Sequence, residues 1–337
     1  PVPIFILKGI ITLAPSTVSV CLSLTSPENK LVVTRKFFFE SNVRYTSQHD
    51  IVNIDVPLNR INFDDDDDDD DGNGDSTQDL SVFFVEADVN DKGQREDRGL
   101  YMLKNGTATK ILENGRDAAA FNDASKKVYL GASDGIYVYD GTDGTTNKYG
   151  SLTDNIIQIE ANNKTGIVYF VTKDNQVFSV TEEGTKKNKV EDLKDVKEIV
   201  IDFKGNLYYS DTKKELYIFN ENGVKKFDGI PRRNEVKLIK PMFAQYGGMF
   251  VNVDNTLYLL NINGTAERTP ISLKVKPTAY APETTLIHYY ALDKKIYELN
   301  VMEVIRSDLI ELKDFLNNKT NEIQTISALC RIRRPKG

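Results

Sequence analysis

Apolar residues along Ile199–Asn220, IVIDFKGNLYYSDTKKELYIFN, fall into three short runs, IVI, NLYYS and ELYIF, separated by FKG and DTKK. Runs this short, rich in Ile, Val, Tyr and Phe and bounded by glycine or polar clusters, predict strands. Connections of two to four residues leave antiparallel hairpins as the way to pair them. One such sheet cannot bury both of its faces alone. It needs copies of itself.

The copies are present. The second strand of the unit, at Leu207-Tyr208, recurs at Val128-Tyr129, Val168-Tyr169, Met249-Phe250 and Leu286-Ile287. The third recurs at Leu100-Tyr101, Ile136-Tyr137, Val177-Phe178, Leu216-Tyr217, Leu257-Tyr258 and Ile296-Tyr297, in steps of 36, 41, 39, 41 and 39 residues. Val82-Phe83 supplies the second strand of the earliest unit, displaced by a longer loop, Ala87 to Arg98. Fourth strands are weaker, as at Thr185–Val190 and Val224–Asp228. Six units of about forty residues predict an all-β fold, a six-bladed β-propeller. Phe37-Phe38-Phe39 and Ile51–Val56 precede the first clear blade, and one of them is expected to complete the sheet at the other end of the chain.

The flanks differ from the repeats. Residues 1–30 are apolar but interrupted by Lys8, Gly9 and Pro15, and read as a signal remnant or as an irregular strand entering the propeller. Residues 31–304 form the propeller. Within it, Asp64–Asp71 and the polar residues to 79 read as an extended, solvated loop, because an unbroken Asp run lacks the spacing of a calcium loop. In 305–337, Ile305, Leu309, Leu312 and Leu316 mark one face of an amphipathic C-terminal helix, followed by a basic tail.

The net charge of −7 changes little, since the Asp run alone carries −8. No basic stripe or nucleic-acid motif is present. Cys21 and Cys330 leave a bridge between the termini and two free thiols equally open. The sequons at Asn105, Asn163, Asn263 and Asn318 point to a secreted glycoprotein. No HExxH, CxxC pair, GxSxG or phosphate-binding glycine loop occurs. His288, within LIHYY, reads as a packed strand residue, so no catalytic residue, metal site or cofactor is assigned. A propeller acts at the mouth of its channel, beside its innermost strands. Those are read as DAAAFN, NIIQIE, KEIVID, KPMFAQ and PTAYAP, so that Asp117, Asn155, Lys197, Lys240 and Pro277 surround one opening.

IVIDFKGNLYYSD and IQIEANNKTGIVYFVTKDNQVFSV resemble the inner strands of the gluconolactonase and senescence-marker-protein superfamily of six-bladed propellers. Over Leu80–Val304 the chain is most similar to the ommochrome-binding proteins of moths. The resemblance implies a secreted, haemolymph-type carrier for a small aromatic pigment, not an enzyme, with Lys197 and Lys240 pairing with the pigment's carboxylates. Enzymes of the wider superfamily hold a divalent metal with a Glu, an Asn and an Asp. Asn155 stands at the Asn position, but Lys197 replaces the Asp and no Glu stands out in the first unit, which weakens a metal-dependent lactonase reading. A protein-interaction propeller, using its rim or the Ile305–Leu316 helix, is the other alternative.

Overall fold

The computed structural model describes residues 31–35, 38–63, 80–181, 183–231, 233–240, 248–283 and 287–300. Cys21, Cys330, Asn318, the Asp run, the 1–30 segment and the 305–337 helix and tail lie outside them. In chain order, β1 (Leu31–Val33) and β2 (Val43–Thr46) come first. Blade one is β3 (Ile51–Asp55), β4 (Val82–Val89), β5 (Arg95–Lys104) and β6 (Thr107–Leu112). Blade two is β7 (Gly115–Ala119), β8 (Lys127–Ala132), β9 (Gly135–Asp140) and β10 (Thr145–Lys148). Blade three is β11 (Ile156–Asn162), β12 (Ile167–Thr172), β13 (Val177–Thr181) and β14 (Lys186–Lys189). Blade four is β15 (Val196–Ile201), β16 (Leu207–Asp211), β17 (Leu216–Asn220) and β18 (Gly223–Lys226). Blade five is β19 (Val236–Ile239), β20 (Met249–Val253), β21 (Thr256–Leu260) and β22 (Ala266–Leu273), and blade six begins with β23 (Ala279–Pro282), β24 (Ile287–Leu292) and β25 (Lys295–Asn300).

Each blade is an antiparallel meander, and the six sheets form a six-bladed β-propeller. Blade six takes its fourth strand from the front of the chain: β2 pairs with β25, so the two ends of the ring share a sheet. β1 adds in parallel to β22 as a fifth strand of blade five. β1 and β2 therefore lie on neighbouring blades, five and six. Phe38, between them in the chain, sets its ring edge-on against Tyr290 and Tyr297 at 5.6 and 5.4 Å.

The burial pattern follows from position in the blade. Second strands such as β16 and β20 are buried at every residue, because neighbouring blades cover both faces. The outermost β14, KKNK, is exposed at every residue, and lysines there discourage pairing with another edge. Five hydrophobic clusters sit between blades. Phe83, Leu100 and Leu130 join blades one and two; Ile136, Ile159 and Phe170 join two and three. Val171, Ile199 and Tyr209 join three and four; Tyr208, Ile218 and Met249 join four and five; Ile51, Phe84 and Ala281 join one and six. Each fully buried side chain of this size contributes about 1.5–3 kcal/mol. Among the described residues, no such cluster fills the interface between blades five and six. Gly135 tightens a different junction: its φ is +135°, and a Cβ there would lie 2.1 Å from the Leu152 carbonyl oxygen.

Several expectations need correction. Ile51–Asp55 is the inner strand of blade one, and the closing strand is Val43–Thr46. Phe38 and Phe39 are not in a strand. Ala87–Arg98 is mostly sheet, since β4 and β5 run on to Val89 and Arg95 around a short turn. The inner strand of blade five is Val236–Ile239 and not KPMFAQ, of which only Lys240 is described.

Candidate functional site

The inner strands β3, β7, β11, β15, β19 and β23 run in one direction along the channel. An upper mouth lies where they begin and a lower mouth where they end. Four of them carry an irregularity at the same place, between Ile51 and Asn53, Gly115 and Asp117, Ile156 and Gln158, and Val196 and Glu198. An extra residue at each position bends the strand and re-aims the side chain that follows. Those side chains are polar, and three of them accept from a backbone N–H of the next blade. Asp117 Oδ2 accepts from the Ile159 N–H at 2.8 Å, Gln158 Oε1 from Ile199 at 2.8 Å, and Glu198 Oε2 from Leu238 at 3.0 Å. The donors lie 42, 41 and 40 residues further on, so these hydrogen bonds follow the repeat. Asn53 extends the series by donating to Asp117 Oδ1. The series stops at blade five.

Beyond Leu238 the inner ring parts. A cavity of about 260 Å³ lies between β19 and β23, with Val236, Lys237, Lys240 and Asn252 on one side and Tyr280 and Tyr290 on the other. Glu235 and Lys276 form an ion pair across its upper rim. The Tyr280 hydroxyl lies 2.8 Å from His288 Nδ1, and the rings of Tyr280 and Tyr290 are 4.8 Å apart. Burial raises the hydroxyl pKa of both tyrosines above the ordinary value, so both remain neutral donors. Asn252 Oδ1 and the Tyr290 hydroxyl are buried in this wall and have no hydrogen-bond partner among the described residues. Leaving such groups unpaired costs about 1–3 kcal/mol each.

The cavity shares Asn53, Gln158, Glu198, Val236 and Lys237 with a second space, of about 300 Å³, at the upper mouth. Arg95, Arg116 and Lys197 also line that space. Asp97 pairs with Arg95 at 2.6 Å and with Arg116 at 2.7 Å, while Lys237 pairs with Glu198 at 2.6 Å. Lys197 is exposed and has no ion-pair partner among the described residues. Asn155, also exposed, accepts a hydrogen bond from Arg116.

Deeper in the channel, carboxylates surround a single ammonium. Lys240 Nζ is 2.7 Å from Asp55 and 3.8 Å from Glu160. Burial works against its charge, but Asp55, Glu160 and Asp117 hold its pKa above the ordinary value. Burial pushes the Glu160 carboxyl up to about 8, with Lys240 opposing the rise and Asp117, Asp55 and Glu198 adding to it. Burial also pushes Asp117 up to about 6, again opposed by Lys240. Glu160 Oε1 is buried without a hydrogen-bond partner.

Of the four ligand-site residues expected from the sequence, Asp117 and Lys197 line the space at the upper mouth, Lys240 lines the cavity that adjoins it, and Asn155 meets it through Arg116. Asn155 precedes β11 and holds Arg116 at the upper mouth, and Pro277 lines the adjoining cavity. Asp117 is 1% exposed and is used within the wall. Lys240 follows the last residue of β19 and, besides the cavity between β19 and β23, lines a smaller space of about 90 Å³ at the lower mouth. Its ammonium is already neutralised, so it is not a free partner for a ligand carboxylate. Arg116, Lys237, Asn252, Tyr280 and Tyr290 were not singled out by the sequence reading. Arg116 and Lys237 sit beside inner-strand starts, which is a usable signal; Asn252 and Tyr290 lie in second strands and become wall residues only where the blade interface opens.

No protein-family profile matches the chain, and no curated protein sequence does. Among solved structures it is similar to PorZ, a surface component of the type-IX secretion system of Porphyromonas gingivalis, at 12% identity and a TM-score of 0.45. An auxiliary nutrient binding protein of Bacteroides thetaiotaomicron is similar at 8% identity and 0.46. The extracellular domain of a one-component system from the same species is similar at 10% and 0.49. These matches cover 66%, 65% and 81% of this chain, which spans 29%, 66% and 43% of the three structures. Likeness this distant carries no functional argument, and the propeller fold rests on the sheet order itself. No helix among the described residues is long and apolar enough to cross a membrane.

Proposed function

We propose that this chain is a non-catalytic binding protein that takes a small anionic ligand with a flat aromatic body through the upper mouth. The observation that carries the reading is the cavity that the described residues leave between blades five and six. It has tyrosine walls, two unpaired buried polar atoms, and a cationic rim next to it. A ring inserted there would pack against Tyr280, and its polar atoms would satisfy Asn252 and the Tyr290 hydroxyl. A carboxylate at its outer end would meet Lys197 and Arg116 in charge-assisted hydrogen bonds. Mostly apolar walls with a few convergent polar groups are the usual composition of a ligand pocket.

The finer identification is an ommochrome-type pigment carried by a secreted protein of the haemolymph type. Its support is the sequence resemblance, together with the fit of a carboxylated, fused-ring molecule to a site with one aromatic and one cationic half. Titration of the protein with xanthommatin, followed by visible absorbance, tests it. Tyr280→Ala and Lys197→Met are each expected to weaken binding, the first through lost stacking and the second through lost charge pairing. Unchanged affinity in both variants would remove the site from the account.

A further inference from the structure

The three sequons within the described residues, Asn105-Gly-Thr, Asn163-Lys-Thr and Asn263-Gly-Thr, occupy a single face of the ring. Inner strands run from the upper to the lower mouth and each blade is an antiparallel meander. The turns joining first to second strands and third to fourth strands must therefore lie on the lower face. Asn105 is in the turn between β5 and β6 of blade one, and Asn263 in the turn between β21 and β22 of blade five. Asn163 follows β11, in the turn leading to β12 of blade three. The sequons thus fall on alternate blades around the ring.

All three asparagines are exposed, and no described residue makes a hydrogen bond to any of their side-chain nitrogens. Asn163 Oδ1 accepts from the Asn122 N–H at 2.6 Å, and Asn263 Oδ1 accepts from Thr265 N–H and Oγ1 at 3.0 and 2.7 Å. In both, the oxygen is held and Nδ2 is left for a sugar. Asn163 and Asn122 also line the small cavity at the lower mouth. The upper face, with Arg116, Lys197 and the opening between blades five and six, carries no sequon among its described turns.

We infer that Asn105, Asn163 and Asn263 are N-glycosylated together, and that their glycans cover the lower face and leave the upper mouth as the open route into the channel. The modification needs a lipid-diphosphate-linked oligosaccharide. A C–N bond forms between the anomeric carbon and Asn Nδ2, the anomeric C–O bond to diphosphate breaks, and the amide proton leaves with the lipid diphosphate. A bulky, solvated glycan suits an exposed turn and opposes packing of another protein against it. The inference rests on the secreted reading above and adds which face that protein presents.

The test uses the full chain secreted from a eukaryotic cell, with glycans intact or removed enzymatically, so that folding is the same in both samples. Peptide mass spectrometry is expected to find all three asparagines occupied. Amine acetylation is expected to be several-fold slower at Lys164 and Lys204 when glycans are present, because both lie in lower-face turns beside Asn163. Lys173 and Lys197, at the upper face, are expected to react equally in both samples. Empty sites at Asn163 and one other position would overturn the inference, as would glycan protection that is equal on the two faces. Neither readout involves the pigment, so a failed pigment titration would leave this result untouched, and the reverse.

Discussion

Glu160→Gln should make the protein markedly more stable at high pH while changing little at low pH. The Glu160 carboxyl is 6% exposed, one oxygen has no hydrogen-bond partner, and Lys240 stands at 3.8 Å, beyond hydrogen-bonding distance. Burial raises its pKa in the folded chain to about 8, against an ordinary 4.5. A folded-state pKa above the unfolded value means that stability is fully present below the lower value and is lost as pH rises through the upper one. At about 1.4 kcal/mol per pH unit, the loss between about pH 5 and about pH 9 is on the order of 4 kcal/mol. Glutamine has nearly the same shape and no charge to gain, so this loss disappears in the variant. Urea unfolding at the two pH values measures it, with the denaturant slope checked for constancy. The variant is expected to match the parent near the lower pH and to exceed it by about that amount near the upper. Parallel stability curves would refute the reasoning. A variant less stable at high pH would show instead that an ionised Glu160 is a needed partner of Lys240.

Other positions test other parts of the account. Lys240→Met removes the one ammonium among Asp55, Glu160 and Asp117 and should cost about 3–5 kcal/mol in chemical unfolding, since it strands buried carboxylates. Asp117→Asn keeps one acceptor oxygen but turns the other toward the Ile159 N–H as a donor, so a loss of about 1–3 kcal/mol is expected; a neutral outcome would mean that the bonds between blades contribute little. Gly135→Ala places a methyl group against the Leu152 carbonyl and strains a positive φ, so its thermal midpoint should fall while the fold is retained. Phe170→Ala, at a fully buried ring stacked on Phe178, should cost about 3–5 kcal/mol.

The blade count and the outer architecture were legible because second and third strands carry an apolar-aromatic pair at nearly constant spacing. Leu100-Tyr101 through Ile296-Tyr297 all fall in third strands. The inner strands were harder to phase. Asn53, Asp117, Gln158 and Glu198 fall inside the expected strands, but the irregularity that precedes each and re-aims it has no signature in the sequence. In blade five the inner strand is a short run, VKLI, and the more apolar stretch after it places the expected start at Lys240, four residues beyond Val236. Lys240 therefore ends the inner strand instead of starting it, between the cavity beside the upper mouth and the smaller space at the lower one. The closing strand VRYT is equally short and half exposed, so Ile51–Val56 competed for its role. The cavity between blades five and six leaves no local trace, because it arises from how the described residues of two blades, far apart in sequence, pack together.

The central claim is that the upper mouth and the opening beside it hold an anionic aromatic ligand. The most direct measurement is the visible spectrum of the protein purified from its natural source, followed by titration of the colourless form with xanthommatin. A bound chromophore, or saturable spectral shifts with added pigment, is the predicted result. A colourless protein whose spectrum with pigment is the sum of the separate spectra would contradict the claim.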